Sequence, residues 1–296
     1  MRVCILRCMA AGAALLVCVH AHAAITVVDD TGARVTIQKP AQRVISMAPH
    51  ITELLFAAGG GERVVGAMNF SDYPEAAKKI PLIGSNSALD MERLIALKPD
   101  LLVVWQSGNT ARQLEQLRSL GIPIFQSEPQ KLDQVATTLL RLGQLLGTGP
   151  MAHAAASEFR TRIGALGARY SARPPVRVFY QIWDKPLYTL NGQQIVSDAI
   201  RLCGGENVFG ALKVKAPEVS VEAVMQADPE AIFGGDQHDP ADAGLGIWKP
   251  YKGMQAVKRG NLFTSGGELL TRAGPRMVLG VAGMCQKLEL ARSRRR

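Results

Sequence analysis

Few side chains in this chain could do covalent chemistry. Beyond the first 23 residues the histidines are His50, His153 and His238. His50 and His238 fall in polar segments after apolar runs, and Asp236 and Asp239 flank the second. These four could be read as the donors of a metal-ion receptor or a metalloenzyme. The spacing argues against it: no His-x-x-x-His pair puts two imidazoles on one helix face, and a zinc site usually takes three or more protein ligands. A hydrolase is disfavoured too, because no Gly-x-Ser-x-Gly turn presents a nucleophile and no histidine has an evident nucleophile beside it. What remains is noncovalent. Trp105 ends the apolar run Leu101-Leu102-Val103-Val104 and precedes Gln106-Ser107-Gly108-Asn109; Phe70 precedes Ser71-Asp72; Trp183 sits between Ile182 and Asp184. An aromatic where an apolar run turns polar is either a packed strand end or one wall of a ligand pocket. The expectation is a binding protein with no catalytic residue, no catalytic cofactor and no metal site.

The elements that hold these side chains follow from the hydrophobic pattern. Arg43-Val44-Ile45-Ser46-Met47 reads as a buried strand, followed by a helix over 51–58 and by Gly60-Gly61-Glu62-Arg63-Val64-Val65-Gly66. The same order returns as the strand Arg177-Val178-Phe179-Tyr180-Gln181, a helix over 195–202 and Gly204-Gly205-Glu206-Asn207-Val208-Phe209-Gly210. A tighter echo links 91–102 to 221–232: Glu92, Pro99 and Asp100 return as Glu222, Pro229 and Glu230 at one constant offset. Each copy is a short helix stopped by proline and leading into an apolar strand, the grammar of a β/α unit. The fold class is therefore α/β, with two related Rossmann-like lobes on mostly parallel sheets covered by helices.

Between the repeats, 150–170 is rich in Ala, Glu and Arg, and Arg173-Pro174-Pro175 ends it, so one long α-helix joins the lobes. The bounds read 1–23 for an export leader, 24–148 for the first lobe, 149–172 for the connecting helix and 173–296 for the second lobe with a basic tail. A single helical strut predicts limited closure on ligand binding. At the front, Ile25–Val28 and Arg34–Ile37 flank Asp29-Asp30-Thr31-Gly32, a hairpin signal. Ligands in open α/β sheets bind beyond the carboxyl ends of the strands, and in a two-lobed protein those ends face each other across a cleft. This nominates Ala48-Pro49-His50, 69–74, 85–88 and 105–109 in the first lobe, and 182–184, 236–239 and 266–272 in the second.

Arg2 and Arg7 precede an apolar run from Met9 to Val19, and Ala21-His22-Ala23 offers small residues where a signal peptidase cuts. Val17 stands before Cys18 where a lipoprotein signal wants a small residue, so a soluble exported chain starting near Ala24 is expected, in the periplasm. Cys4, Cys8 and Cys18 leave with the leader, and Cys203 and Cys285 remain for one disulfide or two buried thiols. The formal charge of +9 falls to +3 once the two leader arginines and the four at 292 and 294–296 are set aside. Those four read as a solvated tail, or more sharply as a weak attractor of anionic lipid heads. No basic stripe interleaved with aromatics points to nucleic acid.

A resemblance now covers nearly the whole mature chain. Arg43-Val44-Ile45-Ser46, Pro49, Thr52-Glu53-Leu54, Ser71-Asp72-Tyr73-Pro74, Glu92-Arg93, Ala96-Leu97-Lys98-Pro99-Asp100-Leu101, Cys203-Gly204-Gly205-Glu206-Asn207 and Arg272-Ala273-Gly274-Pro275-Arg276 resemble the periplasmic vitamin B12-binding proteins of cobalamin ABC importers. The wider iron-siderophore and haem receptor class shares the helix-strutted fold, and the Ser-Asp-Tyr-Pro loop and the paired cysteines favour the cobalamin branch. The resemblance implies a Cys203–Cys285 disulfide, a monomer, and a corrinoid as transported ligand handed to importer membrane subunits. Haem or a ferric siderophore is the alternative ligand. The resemblance further implies that Phe70 and Trp105 pack on the corrin face, with Glu268 and Arg272 bonding its amide rim; Pro49 and His50 of the first cleft loop are further ligand-binding candidates. Asn86 and Ala216 stand where the family's best-known members place tryptophans, which widens the pocket, and Trp183 is the replacement stacking area. His50 or His238 could ligate the cobalt or iron of a bound tetrapyrrole, although a backbone-bonded loop histidine is the plainer expectation. Glu92 and Glu222 resemble the glutamates, one per lobe, by which such receptors dock onto arginines of the importer. Their plainer role is to face a helix dipole behind the caps Asp90 and Ser220.

Overall fold

The structure, a computed structural model, describes residues 23–234, 244–264, 266 and 268–295. Residues 1–22, where the leader is expected, and the segment with Asp236, His238 and Asp239 lie outside the described residues. The chain opens with the expected hairpin, β1 (Ile25–Val28) against β2 (Arg34–Ile37). Asp29 builds its turn by accepting from Thr31 N at 2.9 Å and Ala33 N at 3.0 Å.

The first lobe then runs β3 (Val44–Ser46), α1 (Pro49–Ala57), β4 (Val64–Ala67), α2 (Met91–Ala96), β5 (Leu101–Trp105), α3 (Ala111–Ser119), β6 (Ile124–Ser127) and α4 (Leu132–Leu146). Its sheet, in the order β4-β3-β5-β6, is parallel throughout. Helix α5 (Gly149–Tyr170) follows after a left-handed Gly147. The second lobe runs β7 (Val176–Asp184), β8 (Leu187–Thr189), α6 (Ile195–Leu202), β9 (Gly205–Asn207), α7 (Val221–Ala227), β10 (Ala231–Gly234), α8 (Gln255–Lys258), β11 (Leu262–Thr264), α9 (Glu268–Thr271) and α10 (Met277–Ser293). Its sheet has the order β11-β10-β7-β8, with β9 parallel to the start of β7 and β8 antiparallel to its end.

Strand alternation explains how the lobes join. Successive residues of a strand face opposite sides, so an apolar strand buried on both faces feeds two cores. In β5, Leu101 and Val103 enter one cluster while Leu102 and Val104 enter another. In β10, Ala231 and Phe233 join the first cluster and Ile232 a third. The first cluster is common to both lobes, and α5 threads it with Ala152, Ala156, Phe159, Ile163 and Tyr170, a one-faced helical stripe. At ~1.5 Å per residue α5 is roughly 33 Å long. It lies hard against α4, where a Cβ on Gly143 would stand 2.2 Å from that of Ala152. A shared core of this kind resists large lobe rotation.

The disulfide Cys203–Cys285 ties α6 to α10. The carboxyl-terminal arginines differ from the expected solvated tail. Helix α10 continues to Ser293, and Arg292 is buried, donating to Pro174 O, Cys203 O and Gly204 O at 2.8 Å each. Three carbonyls at the end of α6 and the entry to β7 need donors, and a guanidinium meets them at once. No helix of the described residues is long and apolar enough to cross a membrane.

Candidate ligand cleft

The carboxyl ends of the four first-lobe strands carry polar side chains short of partners. His50 Nε2, Ser71 Oγ, both amide atoms of Asn109 and Ser127 Oγ are buried without a hydrogen-bond partner among the described residues. His50 follows β3, Ser71 follows β4, Asn109 follows β5, and Ser127 is the last residue of β6. Leaving a buried polar atom unmet costs about 1–3 kcal/mol, so such groups gather where a ligand or ordered water will meet them.

Pro49 and His50 form the first turn of α1, whereas the sequence reading placed them in a loop. Proline at N1 has its φ pre-set for the helix and no N–H to orphan, so α1 begins two residues early. His50 is 5% exposed, and no hydrogen bond ties its Nε2 to the backbone, contrary to the plainer expectation. Burial, helped by the charge of Arg272, lowers its pKa to about 4, so the ring is neutral at pH 7. The ring meets Trp105 edge to face, with centroids 5.4 Å apart. Trp105 lies on the backbone of Gly108, where a Cβ would come within 1.9 Å of the indole, and still exposes 37% of its surface. Phe70 is 75% exposed at φ 66°, a left-handed backbone that costs a bulky residue about 1–3 kcal/mol.

Across from this edge, Arg272 donates to Asp72 Oδ1 at 2.7 Å and to Glu268, and lies 3.7 Å from Glu53. Burial pulls the Asp72 carboxyl upward, but the hydrogen bond and charge of Arg272 outweigh it and its pKa falls. Arg276 grips Glu53 with two bonds of 3.0 and 2.5 Å and stacks over the Tyr73 ring at 3.9 Å. Glu268 and Arg272, expected to serve a ligand, thus meet each other, and Arg272 is also committed to binding the lobes together. A second bridge runs from Lys215 to Glu128 at 3.6 Å, with Glu128 accepting from Ser107 N and Oγ at 3.0 and 2.8 Å. Ala216, beside Lys215, is exposed. Asn86 is exposed, its carbonyl accepting from Gln113 Nε2 at 2.8 Å. Trp183 is 62% exposed, its Nε1 donating to Lys185 O at 3.0 Å. Asn86 and Ala216 stand on separate loops and Trp183 near the end of β7, and none of the three makes a hydrogen bond, ion pair or ring contact to the other candidates among the described residues.

Residues 44–269 match the model of a family described as periplasmic binding protein. The chain belongs to the periplasmic binding protein family. The vitamin B12-binding proteins of Yersinia pestis (strain Pestoides F) and Yersinia pseudotuberculosis (serotype O:1b, strain IP 31758) are each 39% identical to it over 248 residues, 84% of this chain and 86% of theirs. The structure of the periplasmic vitamin B12-binding protein BtuF of Vibrio cholerae matches with a TM-score of 0.79 at 33% identity, covering 86% of this chain and 98% of that one. The periplasmic heme-binding protein RhuT from Roseiflexus sp. RS-1 matches with a TM-score of 0.73 at 25% identity, covering 85% and 99%. The resemblance read from the motifs and the two-lobed, helix-joined fold are thereby borne out.

In this periplasmic binding protein the repeat glutamates sit as their caps dictate. Asp90 accepts from Arg93 N at 2.9 Å and Ser220 Oγ from Ala223 N at 3.1 Å, which leaves Glu92 and Glu222 exposed in the first turns of α2 and α7. The Glu222 carboxyl is held below its ordinary range by its own backbone N–H and then by the Ser220 hydroxyl. Sequence reasoning gave no role to Glu53 or Ser127. The available signal for Glu53 was a lone carboxylate inside the apolar helix Ile51-Thr52-Glu53-Leu54-Leu55.

Proposed function

We infer that this chain is the periplasmic receptor of an ABC importer, and that it captures cobalamin or a related corrinoid between its lobes for delivery to the importer's membrane subunits. The match to vitamin B12-binding proteins, 39% identical across 84% of the chain, carries the reading. A corrin is a broad apolar plate with an amide fringe. Phe70, Trp105 and Trp183 offer aromatic area for its faces, above Pro49 and His50. The unmet polar groups of the same edge and the half-exposed Glu268 suit the fringe, with Arg272 behind them. Asn86 and Ala216, small where tryptophans stand in better-known members, leave room for a wider lower ligand. Glu92 and Glu222 project one carboxylate from each lobe toward a two-fold importer. The receptor works as a monomer without catalysis, a resident metal or a nucleic-acid partner, and its leader is removed near Ala23.

Calorimetric titration with cyanocobalamin, run beside haemin by absorbance, tests this. Tight one-to-one cyanocobalamin binding is expected, weakened roughly tenfold by Trp105→Ala through lost stacking. A haemin Soret shift with no cyanocobalamin heat would move the ligand to haem, the reading that heme-binding neighbours and neutral His50 favour. Reversing Glu92 and Glu222 to lysine abolishes importer-dependent uptake at unchanged affinity; unchanged uptake would remove the docking role.

A further inference from the structure

Lys258, Arg259, Gly260, Arg294 and Arg295 line a concavity of about 630 Å³ in the second lobe. Its place follows from strand direction. Glu230 and Asn261, which its cations touch, stand immediately before β10 and β11, so the concavity lies at the amino edge of the sheet. That is the edge opposite the cleft, and the opposite end of α7 from Glu222.

The three arginines are held in position. Arg294 Nη1 donates to Gly260 O at 2.6 Å and Asn261 Oδ1 at 3.1 Å. Arg295 donates to both oxygens of Glu230, at 2.7 and 2.8 Å, and Arg259 reaches the same carboxylate at 3.3 Å. Arg259 and Arg295 therefore share one carboxylate, and among the described residues neither Lys258 nor Arg294 has an ion-pair partner. A solvated charged face spreads like charges apart. Here two segments far apart in sequence, 258–259 and 294–295, are folded around one hollow, with the turn made by Gly260 at φ 66°. The uncompensated charge stays concentrated even after the partial negative end of α10 is counted.

We propose that this hollow binds phosphate-bearing anions, with Lys258 and Arg294 as the principal contacts. A guanidinium presents a fork that matches two phosphate oxygens, and an ammonium adds a point charge beside it. Free phosphates and phospholipid heads share this chemistry. Occupancy leaves the cleft and both repeat glutamates clear, so it is compatible with ligand capture and does not rest on the identity of the captured ligand.

The test uses the mature chain at low ionic strength against two probes: inorganic pyrophosphate by calorimetry, and sedimentation with phosphatidylglycerol vesicles beside phosphatidylcholine vesicles. Lys258→Gln touches no hydrogen bond, so its fold and cyanocobalamin titration stay as in the parent while anion binding falls about fivefold; Lys258→Gln with Arg294→Gln lowers it roughly thirtyfold. Sedimentation with phosphatidylglycerol but no pyrophosphate heat identifies a lipid head, and pyrophosphate heat identifies a soluble anion. Failure of both probes, or equal binding by Lys258→Gln and parent, overturns the proposal.

Discussion

In the first lobe, Asp100 closes the entry to the sheet. Its carboxylate accepts from Gln42 N at 2.9 Å and Arg43 N at 2.9 Å, while its own N–H donates to Arg43 O at 2.8 Å. In the second lobe Glu230 takes the same place, donating through its N–H to Arg177 O at 2.9 Å and accepting from Arg177 N at 3.5 Å. Lys98 and Asp228, each before the repeated proline, both turn left-handed, at φ 45° and 38°. At the carboxyl edges this likeness ends. The first lobe has a buried histidine under a tryptophan; the second runs β7 out to Asp184 and folds β8 back on it. The repeat therefore fixes how each strand is entered, and the lobes differ where strands are left, which is where a ligand meets them.

The strongest way to break the comparison is to remove what only one lobe possesses. Replacing Cys203 and Cys285 by alanine opens a loop of 82 residues and should lower stability by about 4 kcal/mol, read from urea unfolding. Next comes the contact that makes the lobes one body. Glu53→Ala leaves two arginines facing a buried gap and should cost about 3 kcal/mol, and the Glu53→Ala/Arg276→Ala pair should cost less than the sum. His50 sharpens the carboxyl-edge difference through pH. Its folded pKa of about 4 lies below the unfolded value, so the unfolded chain binds the extra proton and stability falls as pH drops from about 6.5 toward 4. Between pH 7 and 5 the loss should be about 2 kcal/mol, and His50→Gln should flatten it. The smallest effect separates the two entry carboxylates. Asp100→Ala and Glu230→Ala should each cost about 1 kcal/mol, but salt should shrink only the second, since Asp100 serves neutral N–H groups and Glu230 serves arginines.

The scaffold was legible because it obeys local rules. Apolar strands, prolines after short helices and the Asp-Asp-Thr-Gly turn each act within a few residues, and the hairpin, α6 and both repeat units stand where the pattern places them. The cleft was legible only as a set of loops. Whether Arg272 faces a ligand or Asp72 depends on a partner 200 residues away, which no local pattern encodes. The carboxyl-terminal arginines misled for the same reason: a basic run reads as solvated until the carbonyls of Cys203 and Gly204 are known to lie beside it.

Glu53 bears on the order in which a chain made from its amino terminus can reach this structure. Its carboxylate is sealed inside α1, and its counter-ion Arg276 lies 223 residues downstream. Until that arginine emerges, closing the first lobe around Glu53 would strand a charge in an apolar interior, which is costly unless the group is neutralised or kept wet. The first lobe's core around Glu53 is therefore complete only when residues of the second lobe close on it. A charge pair of this kind makes one half of the molecule's interior depend on a residue near the other end of the chain.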